Sequence, residues 1–238
     1  MDFTPPQVIG LYLALVVSMV VHEASHAFVA YLGGDRTAYE VGQVTLNPIP
    51  HMRREPFGMI VLPIISLFAF GLPFGFAHAP YNPYWAIAHP RRAAGMSAAG
   101  PAANLILFSL SFGLLYLGRQ QGWFEIPYRG TPEARLWFLH ALVGQGQATD
   151  GFYGALATGL SILMSLNLLL GLFNLLPIPP LDGAGVVEGL APREVRNFLH
   201  DIRSNQSLQL IGLVLAIAVG WRLIGDWVLE PIYFLRAY

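Results

Sequence analysis

Cysteine and lysine are both missing from this 238-residue chain, and charge of either sign is scarce. Without cysteine there can be no disulfide framework, no thiolate metal site and no thiol nucleophile. All thirteen basic residues are arginine, so catalysis by a lysine amine is excluded too. Charged residues make up 11% of the chain and hydrophobic ones 55%, against roughly 25% and 45–50% in soluble domains. So little charge cannot coat a water-soluble globule of this size, and so apolar a chain does not stay disordered. The composition points to an integral membrane protein whose solvent is the lipid bilayer. Net charge is −1 and no basic run exceeds two residues, which excludes nucleic acid as a partner. His, Asp, Glu and Ser remain as the side chains able to do chemistry.

What the chain does contain is long apolar runs. Stretches near 8–32, 57–77, 93–117, 156–176 and 208–229 approach the roughly 20 residues a membrane helix needs. The predicted fold class is all-α: a polytopic membrane helix bundle of about five to six transmembrane helices, forming one domain over 1–238. The first run opens at Pro5-Pro6 and closes at Gly33-Gly34, the usual asymmetry of helix ends. It lacks the basic leader and short apolar core of a cleavable signal. The second carries Pro63, Gly71, Pro73 and Gly75. Such breaks are tolerated at membrane depth where protein or a wet cavity surrounds them, so they are candidate walls of a water path. In the fifth, Arg222 and Asp226 lie four apart and are expected to pair near the boundary. The apolar stretch 136–143 is a candidate for a half-inserted sixth element. An amphipathic surface helix is expected near 186–203, and the alternation over 41–46 suits an edge strand for an extended peptide. Arginines divide too evenly between the two sides to set the orientation.

In a chain so poor in charge, ionisable groups inside spans are the informative ones, because each costs roughly 2.5–3.5 kcal/mol at a helix centre. The first span contains His22-Glu23-Ala24-Ser25-His26. At 1.5 Å per residue, His22 lies about 21 Å from the start of the apolar run, inside the hydrocarbon. Residues i and i+4 project from one helix face, so His22 and His26 can bind one metal ion through neutral imidazoles. Glu23 is rotated by about 100° from His22, beside the ion and able to take a proton from a water on it. This is the HExxH arrangement of zinc metallopeptidases. A catalytic zinc needs a third protein ligand and an open position. Asp182 is the candidate, in the run Pro177-Ile178-Pro179-Pro180-Leu181-Asp182-Gly183, where three prolines forbid a continuous helix. Two readings of Asp182 stand open: a ligand facing inward, or the N-cap of the following helix. Asn174, at the end of an apolar span, could donate to a developing oxyanion or bond a freed backbone carbonyl. Asn167 reads as a helix–helix hydrogen bond. His51, His78, His89, His140 and His200 lie in loops or at span edges.

These residues resemble the site-2 protease family of intramembrane zinc metalloproteases, in its short form without a PDZ or regulatory domain. The resemblance rests on His22 to His26 and on Asn174 to Gly183. Gly100-Pro101-Ala102-Ala103-Asn104 in the span between is similar to the family's Gly-Pro-x-x-Asn element. The likeness covers about residues 5 to 190, and Thr45 to His51 also looks like the short members. It implies that His22, His26 and Asp182 bind one Zn2+ ion, that Glu23 activates the water, and that Asn174 contacts the scissile carbonyl or its oxyanion. It also implies a multi-pass enzyme of the cell membrane that cuts membrane-protein substrates within or next to their transmembrane segments. The chain departs from the pattern in Met52-Arg53-Arg54-Glu55-Pro56, which puts Glu55 in the acidic position, and at His78, where lysine is common. The alternative function is a proteolytically inactive membrane scaffold or holding protein with a structural zinc site, which would have no use for the buried base Glu23.

Overall fold

The computed structural model describes residues 4–128, 140–149 and 151–237. Helix α1 (Pro5–Leu32) begins where the prolines allow, its first turn tied by Thr4 N–H to the Gln7 carboxamide oxygen at 2.9 Å. The short helices α2 (Thr37–Glu40) and α3 (Pro48–Arg54) follow, then a π-helical turn, Phe57–Val61, running into α4 (Leu62–Phe70). Helix α5 (Pro83–Ala88) leads into α6 (Pro90–Gln120). A hairpin pairs β1 (Phe124–Glu125) with β2 (Val143–Gly144), Phe124 standing opposite Gly144. Helices α7 (Gly151–Asn174), α8 (Asp182–Leu190), α9 (Arg193–Ser204) and α10 (Gln206–Ala237) complete the order.

Among the described residues, α1, α6 and α7 are long and apolar enough to cross a membrane, at 28, 31 and 24 residues. That is about 36–46 Å of helix against a hydrocarbon core of about 30 Å. The all-α membrane bundle expected from the sequence is the architecture found. Its outside is apolar, as lipid requires: Ile106, Leu110, Leu114 and Leu117 form an exposed stripe on α6 while Ser111, Leu115 and Gly118 face inward.

Three local expectations are corrected. The run at 57–77 is not one span: its helical part stops at Phe70, because Gly71 adopts a left-handed φ of 74° and closes the helix. Fourteen helical residues reach only about 21 Å, and the chain continues non-helically from 73 to 82. At Gly75 this segment presses on Met19 of α1 and on Pro63. The amphipathic helix near 186–203 is two helices, α8 and α9, separated at Ala191-Pro192. The stretch 41–46 forms turns and bends rather than a strand, with Gly42 at φ 73°. The fifth run lies within α10, where the side chains of Arg222 and Asp226 fall outside the described residues. So does half of the candidate sixth element, residues 136–139; its described end runs through the bend at 141–142 into β2.

Helix α6 is the hub, packed against α1, α7 and α8. Its N-terminal half does so through small buried residues: Ala94, Ser97, Gly100 and Pro101. Helix α8 answers with buried Gly183, Ala184, Gly185 and Gly189. A β-carbon at Gly189 would collide with the Pro90 carbonyl, and one at Gly185 with Ser97. In lipid, where apolar contact alone gives helices little reason to associate, such close backbone approach is what holds them together. The C-terminal half of α6 packs differently, through Leu115 in a cluster with Phe124, Leu142, Met164, Ile232 and Leu235.

Candidate active site

His22 and His26 are buried one turn apart on α1, their rings edge to face with centroids 4.6 Å apart. Their Nε2 atoms are separated by 3.0 Å. The third member arrives from 160 residues away: one carboxylate oxygen of Asp182 lies 3.0 Å from His22 Nε2 and 3.3 Å from His26 Nε2. The proline run makes this possible. After α7 the chain turns tightly, Ile178 N–H bonding the Leu176 carbonyl and Leu181 N–H the Ile178 carbonyl. Gly183 then passes against the Leu175 and Leu176 carbonyls, where any β-carbon would clash. Helix α8 therefore starts alongside the end of α7 with its first residue aimed at α1. The N-cap reading of Asp182 falls away, because Leu181 occupies that position and Asp182 is already helical.

Each imidazole is held from behind. His26 Nδ1 donates to the Met96 carbonyl at 2.6 Å, and His22 Nδ1 meets Asn104 Oδ1 at 2.5 Å. Both partners sit on α6, and Asn104 is fully buried. Spending the Nδ1 protons outward turns both Nε2 lone pairs inward, toward the Asp182 carboxylate. Three acceptors then converge with no donor among them, an arrangement that calls for a cation. Their separations of 3.0, 3.0 and 3.3 Å approach the edge of a tetrahedron around zinc, about 3.3 Å for bonds of about 2.0 Å. Among the described residues this is the one His, Cys, Asp and Glu group whose ligand atoms cluster so. Gly100 keeps the space open, since a β-carbon there would strike Nε2 of both histidines. The donor set thus fits a zinc ion.

Glu23 is 5% exposed, and its Oε2 is buried without a hydrogen-bond partner. Such an oxygen is costly unless something comes to use it. Asn174 stands half-buried at the end of α7, outside the three-residue cluster, with Nδ2 donating to the Leu170 carbonyl at 3.0 Å. His51 is buried and staples its loop, donating from Nε2 to the Thr45 carbonyl at 2.9 Å. The two departures from the family pattern meet each other: His78 Nε2 lies 3.3 Å from a Glu55 carboxylate oxygen. His89 bonds the Trp85 carbonyl, and His140 lies between Gln7 and Thr158. The His200 side chain is outside the described residues. Ser18 carries no signal in the sequence reading, yet it is fully buried and bonded to Asn167. A hydroxyl four residues before a histidine inside an apolar helix was its only trace.

The model of peptidase family M50 matches residues 10–219. A Bacillus subtilis (strain 168) protein, "Putative zinc metalloprotease YwhC", is 35% identical over 93% of this chain and 84% of its own length. "Putative zinc metalloprotease Rip2" of Mycolicibacterium smegmatis is 27% identical over 97% of this chain and 75% of its own. The protein of the same name from Mycobacterium tuberculosis H37Rv is 30% identical, over 87% and 67%. No solved structure matches. With the family model spanning both the HExxH helix and the Asp182 turn, the chain belongs to peptidase family M50, the site-2 protease family.

Proposed function

We propose that this protein is a multi-pass zinc endopeptidase of the cell membrane, cutting other membrane proteins within or next to their transmembrane segments. The observation that carries the reading is the convergence of His22, His26 and Asp182 beside a buried, unpartnered Glu23 oxygen. The printed names of the relatives, zinc metalloproteases, support the same ion. His22, His26 and Asp182 are its ligands. Held there, zinc would supply Lewis-acid chemistry, making water a better nucleophile near neutral pH and a peptide carbonyl a better electrophile. Glu23 would take a proton from the attacking water at its free Oε2 as the water oxygen bonds the carbonyl carbon, and return it to the amide nitrogen as the C–N bond breaks. Asn174 contacts the scissile carbonyl, giving up its bond to Leu170 when substrate arrives. The substrate segment must be locally extended, because helical carbonyls are already bonded.

The test uses the full chain purified in detergent, with bound zinc and cleavage of a membrane-helix substrate measured together. Glu23→Gln should keep its zinc and lose roughly 10²–10⁴-fold in rate. Asp182→Ala should lose zinc as well. Wild-type protein that binds no zinc, or Glu23→Gln that cleaves as fast as wild type, overturns the assignment.

A further inference from the structure

Behind His22, away from Asp182, a file of polar side chains crosses three helices. Asn104 of α6, Asn167 of α7 and Ser18 of α1 are each fully buried. Three polar groups in an apolar bundle are expensive unless all their donors and acceptors are used, and here they are. Asn167 Nδ2 donates to the Leu163 carbonyl at 2.9 Å and to Ser18 Oγ at 2.8 Å. The Ser18 hydroxyl donates onward to the Ala14 carbonyl at 2.7 Å. Asn104 Nδ2 donates to Asn167 Oδ1 at 2.7 Å and to the Ser18 carbonyl at 3.4 Å. Asn104 Oδ1 is left for His22 Nδ1 at 2.5 Å.

The direction of this file follows from its backbone ends. A carbonyl can only accept, so Leu163 fixes the Asn167 amide with nitrogen toward α7 and α1 and oxygen toward Asn104. That oxygen, with the Ser18 carbonyl, fixes the Asn104 amide the same way. Flipping Asn104 would set its oxygen against two others. Its Oδ1 therefore faces His22, and His22 Nδ1 has to carry the proton. The geometry points to Asn104 and Asn167 as positioning residues in series: they hold His22 as the Nδ1–H tautomer, so that Nε2 offers a lone pair to the metal. His26 receives the same service from one backbone carbonyl, Met96. His22 depends instead on a side-chain relay whose far end is another helix, so the grip of α7 on α1 and α6 is part of the metal site.

This inference rests on the zinc-site reading above, and zinc affinity separates the two. In chelator competition on purified full chain, His22→Ala should abolish tight binding. Asn104→Ala should weaken it by roughly 10–100-fold, the usual effect of losing the group that orients a ligand histidine. Asn167→Ala, although it touches no ligand, should cost roughly tenfold, because Asn104 is then free to turn. The double variant Asn104→Ala/Asn167→Ala should bind no worse than Asn104→Ala alone, since the second residue acts through the first. A purely structural role would instead make the two losses add, and that result overturns the relay. So does Asn104→Ala with wild-type affinity while His22→Ala has none. If His22→Ala binds as tightly as wild type, the metal-site reading itself fails and takes the relay with it. A measurement on wild type covers variants that do not fold. Nitrogen NMR of the zinc-loaded protein should show His22 protonated at Nδ1 and metal-bound at Nε2; the reverse assignment overturns the relay.

Discussion

Along α6, the turns around Gly100, Pro101 and Asn104 pack by close backbone approach, whereas those from Phe108 to Tyr116 pack by filling volume. The first region meets α1 and α8 through glycine and alanine, and it encloses two histidines, an aspartate and the buried relay. The second meets the β1–β2 pair, α7 and α10 through the apolar side chains of Leu115, Phe124, Leu142, Met164 and Leu235. Both regions belong to one helix, yet they respond to different penalties. At the site, a polar atom left unmatched is the main cost, so small residues bring partners within hydrogen-bond reach. In the apolar cluster a void is the main cost, so side chains are large. The proposed site lies where the helix gave up side-chain volume.

Substitutions that exchange the two kinds of packing test this contrast. The largest effect is expected from Gly100→Ala. Its β-carbon would strike both Nε2 atoms, and the rings cannot retreat because Asn104 and Met96 hold them from behind. Zinc affinity, read by chelator competition, should fall by roughly 100-fold or more. Gly113→Ala on the same helix meets nothing within 4 Å and should be neutral or stabilising by up to about 1 kcal/mol. Equal behaviour of the two glycines would erase the distinction.

Next comes Leu115→Ala, which leaves a cavity in the apolar cluster. It should cost about 2–5 kcal/mol in unfolding experiments in detergent and leave zinc affinity unchanged. Gly189→Ala should cost about 1–3 kcal/mol, because its β-carbon would push α8 off the Pro90 carbonyl. It should also weaken zinc modestly, since Asp182 rides on the same helix; an unchanged affinity would show that α8 is held chiefly at its first turn. The smallest effect concerns Glu125 in the hairpin. The Gly146 backbone N–H and the Gln147 side chain lower its pKa below the usual glutamate range. Its folded-state pKa is depressed, so its contribution is full above the ordinary glutamate pKa and is lost as pH falls through the lowered value. Glu125→Gln should flatten the acid limb of the pH–stability curve slightly, and a wild-type acid limb in Glu125→Gln would remove the residue from the account.

How much of this was legible depends on how local each feature is. The span 8–32 and its HExxH pattern could be read directly, since helix periodicity alone puts residues 22 and 26 on one face. Helix α4 was overread because composition cannot tell Gly71 as a tolerated break from Gly71 as a left-handed stop. The surface helix near 186–203 was read as continuous, and Pro192 divides it. The 41–46 alternation lost to Gly42, whose turn overrides strand propensity. Asn104 was visible through its motif and Asn167 as a helix–helix hydrogen bond, but nothing linear said that the two would bond each other.

By itself, then, the sequence determined the solvent, the helical class, the apolar spans and the placing of two histidines and a glutamate on one helix. These follow from composition and from repeats of 3.6 residues. Only the tertiary structure brought Asp182 beside His22 and His26, set Met96 and Asn104 against the two imidazoles, and placed Asn167 of α7 against Asn104. Those outcomes depend on side chains from α1, α6, α7 and α8 meeting within about 3 Å. Such meetings are set by how closely helices can approach, a property of packed surfaces that no single segment carries.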